Sequence, residues 1–159
     1  MQGARFSICL DSLVNDFVAG EIEHVVRTAW AEAKPDVVIV EGQGALLHPA
    51  YPGGLELVAS VKPDILLLQD VPARKSFDGF DDLPMPPMSR QIEALELLSA
   101  SPVAGITINP TGLSAEDAKS ICQQFEGQFE RPAVDVFREG CRRLIDLIEP
   151  HLRTRNPIA

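Results

Sequence analysis

The stretch Asp64-Ile-Leu-Leu-Leu-Gln69 decides the fold, because four apolar residues stand in it as an unbroken run between polar ends. Asp36-Val-Val-Ile-Val-Glu41 repeats this pattern with β-branched residues throughout. Short, continuous apolar runs are typical of strands that are buried on both faces of a parallel sheet. We therefore predict two such strands, at 36–41 and 64–69.

Helical patterns surround these two predicted strands. Apolar residues recur at intervals of three and four between residues 13 and 33, which is the period of a helix with one buried face. Helices are also predicted at 55–61, 89–98, 114–125 and 138–152, strands at 103–109 and 132–136, and a proline-rich loop at 71–88. The alternation predicts an α/β fold with a mostly parallel sheet flanked by helices, in which ligands bind at the carboxyl ends of the strands.

Length and composition narrow the class of protein. The chain has 159 residues, of which 45% are hydrophobic, and this suits a single α/β domain over residues 1–159. A net charge of -9 argues against a nucleic-acid partner, because binding to a phosphate backbone needs clustered Lys and Arg. No apolar run approaches the roughly 18 residues of a membrane span. The partner expected is therefore a small molecule, not a membrane or a nucleic acid.

The cysteines indicate a compartment. Cys9, Cys122 and Cys141 are an odd number, lie far apart and form no CxxC pair. Neither a disulfide framework nor a zinc site is indicated by this spacing. Reduced thiols in the cytoplasm fit best.

Polar residues follow three of the predicted strands. Glu41 precedes Gly42-Gln43-Gly44, Gln69 precedes Asp70, and Asn109 precedes Pro110. A carboxylate at the end of a buried strand is typical of P-loop nucleotide enzymes, where it holds magnesium. Glu41 can equally cap the following loop. Glycines on both sides of Gln43 would let a ligand approach the backbone closely.

Other candidate residues lie near these strand ends. His48 and Tyr51 lie in a Gly-rich loop at 42–54. A histidine there can serve as a general acid or base, or only as a hydrogen-bonding residue. Asp16 lies on the first predicted helix, at the edge of its apolar face or exposed. Arg74, beside Lys75 in the loop after the strand at 64–69, can neutralise a phosphate or carboxylate or be a solvated charge.

Three strings of residues together resemble one family. They are Asp16-Phe-Val-Ala-Gly-x-Ile-Glu23, Glu41-Gly-Gln-Gly-Ala-Leu-x-His-Pro-Ala-Tyr51 with the apolar run before it, and Gly105-Ile-x-Ile-Asn109. They are similar to the DgcN-type D-glutamate N-acetyltransferase family, formerly a domain of unknown function, over about residues 11–147. Members have a Rossmann-like N-terminal domain followed by a P-loop NTPase-like domain of the dethiobiotin-synthetase kind.

The resemblance implies that this chain is the later part of the P-loop-like domain. The sequence contains neither G-x-x-x-x-G-K-[ST] nor G-x-G-x-x-G, so neither a phosphate-cradling loop nor a dinucleotide fingerprint is present. We therefore expect the phosphate-binding half and the Rossmann-like domain to be absent. We also expect the chain by itself to be inactive, or active only with a partner.

The reaction that the resemblance implies is transfer of an acetyl group from acetyl-CoA to the amino group of D-glutamate. The matched positions are Asp16, Glu41, Gln43, His48, Tyr51, Arg74 and Asn109, with Arg138 as a further match, although this chain has Asp135-Val136 where the family has Asp-Pro. Acetylation of an amine needs a base, donors for the oxyanion and cations for the acceptor's carboxylates. The expected roles are Glu41 or His48 as the base with Tyr51 beside them, the N–H groups of Gly42, Gln43 and Gly44 as oxyanion donors, Arg74 as a carboxylate clamp, and Asp16, Asn109 and Arg138 as binding residues.

Two other functions stay open at this point. A ligase-like or kinase-like P-loop enzyme would bind Mg-ATP, with Asp16 and Glu41 as magnesium ligands and Asn109 near the nucleotide base. A non-catalytic half of a split protein would receive its phosphate-binding loop from another chain. Without its first strands, the predicted sheet would expose an apolar edge, and such an edge invites pairing with another chain. We therefore expect a homo-oligomer or a partner chain that supplies the missing half.

Overall fold

The computed structural model describes residues 4–42 and 45–152 of the chain. Within them the chain forms two compact units. The first comprises the residues up to Pro63 together with Leu97–Ala100, and the second comprises Asp64–Glu96 together with the residues from Ser101 onward. The prediction of a single domain over residues 1–159 stays a prediction.

The first unit is built around two helices, α1 (Val18–Ala33) and α2 (Gly53–Val61). Two short 3-10 turns, Leu10–Ser12 and Asn15–Phe17, precede α1. Val18 and Ile22 stand four residues apart and so share one face of α1, and both are buried. They form a core with Leu10, and partly buried apolar residues pack against it, namely Ile8, Leu13, Leu57 and Val61.

Two sequence predictions in the first unit were wrong. The helix predicted from residue 13 begins only at Val18, because 3-10 turns occupy the residues before it. The strand predicted at 36–41 is irregular, and Ile39 within it is 84% exposed. An apolar run becomes a strand only where a neighbouring strand completes its backbone hydrogen bonds, and no described residue pairs with this segment.

The second unit contains all the strands of the described chain. In chain order its elements are β1 (Leu66–Asp70), β2 (Ser76–Phe77), β3 (Phe80–Pro84), α3 (Met88–Ser99), β4 (Val103–Ile108), α4 (Ala115–Phe129), β5 (Ala133–Val134), α5 (Val136–Glu139) and α6 (Arg142–Leu152). The end of α3, from Leu97 onward, is assigned to the first unit. Three of the strands form a parallel sheet in the order β1-β4-β5. Leu68 is in register with Ile106, and Asp70 with Ile108, so β1 and β4 end at the same edge.

The central strand β4 carries the core of the second unit. Ile106 is fully buried, and Val103 and Ile108 are each 1% exposed. A Cβ atom at Gly105 would lie 3.0 Å from Cδ1 of Leu147, so glycine lets α6 approach the strand closely. Ala118 and Cys122 of α4 are also buried. Helices thus cover the sheet, and the predicted α/β fold with a parallel sheet flanked by helices is confirmed.

Local sequence signals explain where several helices begin and end. Asp117 N–H donates to Oγ of Ser114 at 3.1 Å, which is the N-cap bond expected of a serine before α4. The helix predicted at 138–152 is instead divided into α5 and α6 at Gly140, whose φ is +75°, because a residue with positive φ cannot continue a right-handed helix. Part of the loop predicted at 71–88 is a hairpin, β2–β3, which turns at Asp78 and Gly79.

The helices are also informative about membranes. No helix within residues 4–42 and 45–152 combines the length and the apolar character that crossing a membrane requires.

Candidate functional site

His48 is a buried polar group in the Gly-rich loop of the first unit. Its side chain is 7% exposed, and its Nδ1 accepts a hydrogen bond from Ala50 N–H at 3.2 Å. The ring of Tyr51 packs against it with 4.6 Å between the ring centroids and a tilt of 37°. Since Nδ1 is an acceptor, a neutral imidazole in this setting carries its proton on Nε2. His48 is therefore arranged as a hydrogen-bond donor at Nε2.

The residues at the start of this loop are more exposed than His48. Glu41 and Gly42 are both exposed, and a Cβ atom at residue 42 would lie 3.0 Å from Cδ2 of Leu57. A side chain at residue 42 would press on the end of the Leu57 side chain, so glycine here favours close packing against α2. Gln43 and Gly44 lie outside the described residues. Asp16 lies exposed in the 3-10 turn before α1, rather than on the helix as predicted.

In the second unit, the loops after β1 and β4 are joined where the two strands end. Asn109 N–H donates to the carbonyl oxygen of Asp70 at 2.7 Å. The chain then turns sharply after β1, where Arg74 N–H donates to Val71 O at 2.9 Å. Pro72 is the second residue of that turn, a position that suits its fixed φ. The turn carries Arg74 and Lys75 past the edge of the sheet.

The loop after β4 contains a matching turn. Leu113 N–H donates to Pro110 O at 2.9 Å, and Gly112, the third residue of this turn, has φ +81°. That conformation favours glycine. A Cβ atom at residue 112 would come within 3.2 Å of the Cβ of Ala73. The two turns therefore pack directly against each other.

A cleft of about 450 Å³ opens beside the carboxyl end of β1, within the size range of small-molecule sites. Charged, amide and apolar side chains all contribute to its walls. The cleft is lined by Asp70, Val71, Pro72, Arg74, Lys75, Met85, Pro86, Pro87, Met88, Ser89, Gln91, Ile121, Gln124, Phe125, Gln128 and Phe129.

Asp70 is the electrostatically unusual group in this cleft. Burial raises the pKa of its carboxyl group, and the N–H of Val71 and the positive charge of Arg74 only partly oppose this effect. Arg74 and Lys75 are exposed, and neither makes an ion pair with any residue in the part of the chain that the structure describes. Both cations are thus available to a ligand.

Two of the predicted binding residues are engaged by residues close to them in the sequence. Oδ1 of Asn109 accepts from the N–H and the hydroxyl of Thr111, at 3.1 and 2.7 Å. Arg138 pairs with Asp135, which is 2% exposed and also accepts from Phe137 N–H at 3.2 Å. These contacts shape the loop after β4 and hold α5. Neither Asn109 nor Arg138 lines the cleft.

The structure thus brings some sequence candidates together and leaves others apart. His48 contacts Tyr51 in the first unit, and Arg74 lines the cleft of the second. Sequence reasoning noted Asp70 and Lys75 but did not select them, and it missed Gln91 and Gln124. The signal for Asp70 was its position at the end of a buried strand. Among residues 4–42 and 45–152, no group of three or more His, Cys, Asp or Glu is placed to hold a metal ion.

These features define a class of protein: an α/β domain with a parallel sheet and a ligand-sized cleft at the carboxyl end of a strand. A family described as a domain of unknown function, the DUF1611 C-terminal P-loop domain, matches residues 1–145 of the chain. The chain belongs to this DUF1611 family, which confirms the family membership that the sequence motifs indicated.

Named relatives of the chain include two bacterial enzymes. A D-glutamate N-acetyltransferase from Tritonibacter scottomollicae is 33% identical over 145 residues, which cover 87% of this chain and 43% of the relative. One from a Pseudoalteromonas species is 30% identical over 145 residues, covering 87% of this chain and 42% of the relative. The chain spans less than half the length of these curated relatives.

A solved structure is similar as well. The crystal structure of a DUF1611 family protein from Anabaena variabilis has a TM-score of 0.82 and 28% sequence identity with this chain. The similarity covers 91% of this chain and 43% of that one. It supports the same α/β assignment.

Proposed function

We propose that this chain is part of an N-acyltransferase that moves an acetyl group from acetyl-CoA to the amino group of D-glutamate. The names of the two relatives support the reaction. The geometric observation that carries the proposal is His48, a buried imidazole whose Nδ1 is fixed by Ala50 N–H at 3.2 Å. A donor held in one orientation is what stabilisation of a developing oxyanion requires.

The chemistry sets the demands on the site. The acceptor arrives as an ammonium ion and must lose a proton before its nitrogen can attack the thioester carbon. The C–N bond forms, the carbonyl oxygen becomes an oxyanion, and collapse of the tetrahedral intermediate breaks the C–S bond. The nitrogen loses a second proton as the amide forms. The thiolate takes up one of these two protons and becomes CoA thiol, so that one proton is released overall.

We assign the base to Glu41 and the oxyanion donor to His48. The Nδ1 lone pair of His48 is already used by Ala50 N–H, which favours donation from Nε2 over proton abstraction. Glu41 is exposed, and an ionised carboxylate only accepts hydrogen bonds. Tyr51 packs on the imidazole and keeps its plane in place, and the N–H of Gly42 is a second candidate donor to the oxyanion.

Calorimetric titration with acetyl-CoA and, separately, with Mg-ATP tests the proposal against the ligase-like or kinase-like alternative. We expect acetyl-CoA to bind and Mg-ATP to produce no heat of binding. A His48→Ala variant should retain the acetyl-CoA affinity of the parent chain, since His48 is assigned to the oxyanion and not to the CoA moiety. Binding of Mg-ATP without acetyl-CoA would overturn the proposal in favour of a nucleotide-dependent enzyme.

A further inference from the structure

The cleft in the second unit contains two charged groups without an expected role, Asp70 and Lys75, beside Arg74, the expected carboxylate clamp. Asp70, Arg74 and Lys75 come from one stretch of chain, and the turn at Val71–Arg74 directs all three to the same cleft. Neither cation is neutralised by an ion pair within the described ranges, 4–42 and 45–152. The cleft thus presents two available positive charges and one half-buried carboxylate.

This combination of charges favours a particular kind of ligand. Two cations attract two acid groups, and guanidinium and ammonium groups bind carboxylates through charge-assisted hydrogen bonds. The Asp70 carboxylate is half-buried and would repel a ligand that carried only negative charge. A ligand with an amino group would instead place a positive charge beside it. Burial has raised the pKa of Asp70, so a cationic partner would also relieve an unfavourable desolvated charge.

The remaining walls fit a short hydrocarbon spacer. Met85 and Phe125 supply apolar surface, while Gln91 and Gln124 supply amide groups. Gln91 is 6% exposed, and its Nε2 donates to Pro86 O at 3.1 Å. This bond fixes the side chain, and it also fixes the proline segment that forms part of the cleft wall. This part of the cleft wall is therefore held in place before any ligand binds.

We propose that this cleft binds an α-amino dicarboxylate, with Arg74 and Lys75 on its two carboxylates and Asp70 on its ammonium group. The choice of ligand rests on the proposed function, because an acidic amino acid is the acceptor in that reaction. The assignment of Asp70 and Lys75 to substrate recognition rests on the cleft itself.

The test is calorimetric titration of the full chain with D-glutamate and with glutarate, which has the same carbon chain and both carboxylates but no amino group. D-glutamate should bind at least about tenfold more tightly, since one charge-assisted contact contributes an effect of this order. Asp70→Asn should weaken D-glutamate by about tenfold and leave glutarate unchanged or tighter. Arg74→Gln and Lys75→Gln should each weaken both ligands.

Matched controls separate this recognition from a general effect of charge. Asp82→Asn and Lys119→Gln make the same charge changes at exposed positions that do not line the cleft, and both should leave the two affinities unchanged. Thermal melting of every variant would confirm that it folds. Equal affinities for the two ligands, affinities that Asp70→Asn does not alter, or an absence of D-glutamate binding would each overturn the proposal.

The outcome is independent of acetyl transfer, because the titration contains no acetyl-CoA. If acetyl-CoA binds and the cleft variants leave D-glutamate binding intact, the cleft assignment fails and the acyltransferase proposal stands. If D-glutamate binds as expected and acetyl-CoA does not, the acyltransferase proposal fails and the cleft assignment stands.

Discussion

The backbone N–H of Asn109 donates to the carbonyl oxygen of Asp70 at 2.7 Å. This bond continues the ladder between β1 and β4 past the register pair Asp70 and Ile108. It therefore fixes the backbone of Asp70 while the Asp70 side chain lines the cleft. The turn after β4 lies against the turn that carries Arg74, so the shape of the cleft depends on how these two loops pack.

Gly112→Ala should disturb that packing. The left-handed backbone of residue 112 strains any residue with a Cβ atom, and that atom would meet Ala73 at 3.2 Å. We expect the free energy of unfolding to fall by about 1–2 kcal/mol, measured by urea denaturation. Backbone amide shifts of Val71 and Arg74 should change in the NMR spectrum.

The matched control for this substitution is Gly127→Ala. Gly127 lies inside α4, and nothing lies within 4 Å of the position a Cβ would take. The same chemical change should therefore raise the free energy of unfolding by about 0.5–1 kcal/mol. Loss of stability at both positions, or at neither, would contradict the proposed reason for the glycine at 112.

Asp70→Asn should stabilise the chain at neutral pH. Burial raises the pKa of Asp70 despite the opposing Val71 N–H and Arg74, so the folded state holds this proton more tightly than the unfolded chain does. Its stabilising contribution is present below the ordinary aspartate pKa and is lost as the pH rises through the raised value. The variant should therefore have a higher free energy of unfolding than the parent at pH 7. This difference between the two free energies should shrink as the pH falls. A difference of the same size at every pH would contradict this cause.

The elements that were predicted best are those whose signal is local. The apolar run at 64–69 and the serine at 114 correctly located β1 and α4. Both signals depend only on residues that are neighbours in the sequence. The run at 36–41 has the same pattern and is not a strand, because pairing depends on a partner that the run itself does not encode. The hairpin within 71–88 was also missed, because β2 is only two residues long.

The candidate site was predicted in part for a similar reason. The motif that contains His48 and Tyr51 is contiguous, so the sequence placed both in one loop, but the contact between their rings is known only from the structure. The cleft, in contrast, combines a strand end with residues of α3 and α4 that lie more than 15 positions away, such as Gln91 and Gln124. No periodicity marks those glutamines. Only the tertiary fold brings them into the same cleft as Asp70.

Glu126 should make stability depend on pH in the opposite sense to Asp70. Burial alone would raise its pKa, but Ala133 N–H and Arg143 together hold the pKa of Glu126 below its usual value. The stabilisation is present above the ordinary glutamate pKa and is lost as the pH falls through the lowered one. Glu126→Ala should reduce the free energy of unfolding by about 1–2 kcal/mol at pH 7 and by less in acid, as measured by urea denaturation across pH.

An exposed ion pair on α6 is the control for Glu126. Arg142 and Asp146 are paired at 3.1 Å, but their side chains are 77% and 52% exposed. Asp146→Ala should change stability by less than about 0.5 kcal/mol. An equal loss of unfolding free energy from both substitutions would show that the hydrogen bond from Ala133 N–H to Glu126 adds nothing to stability.

The three cysteines should differ in reactivity. Cys122 is 5% exposed, and burial, followed by the negative charge of Glu139, raises the pKa of its thiol. Cys9 and Cys141 are exposed. Because the thiolate is the reactive form, iodoacetamide should modify Cys9 and Cys141 in the folded chain and Cys122 only after unfolding. Peptide mass spectrometry would measure the three rates, and similar rates in the folded chain would contradict this prediction.

The central claim, that this chain carries catalytic residues of an N-acetyltransferase, is tested most directly with a chimera. The matched 145-residue region of the Tritonibacter scottomollicae enzyme would be replaced by the corresponding residues of this chain, and N-acetyl-D-glutamate would be measured by mass spectrometry. We expect product from the chimera, and a loss of kcat of about a hundredfold or more in its His48→Ala variant, the effect of removing an oxyanion donor. A folded chimera that forms no product, or a His48→Ala chimera with undiminished kcat, would contradict the account.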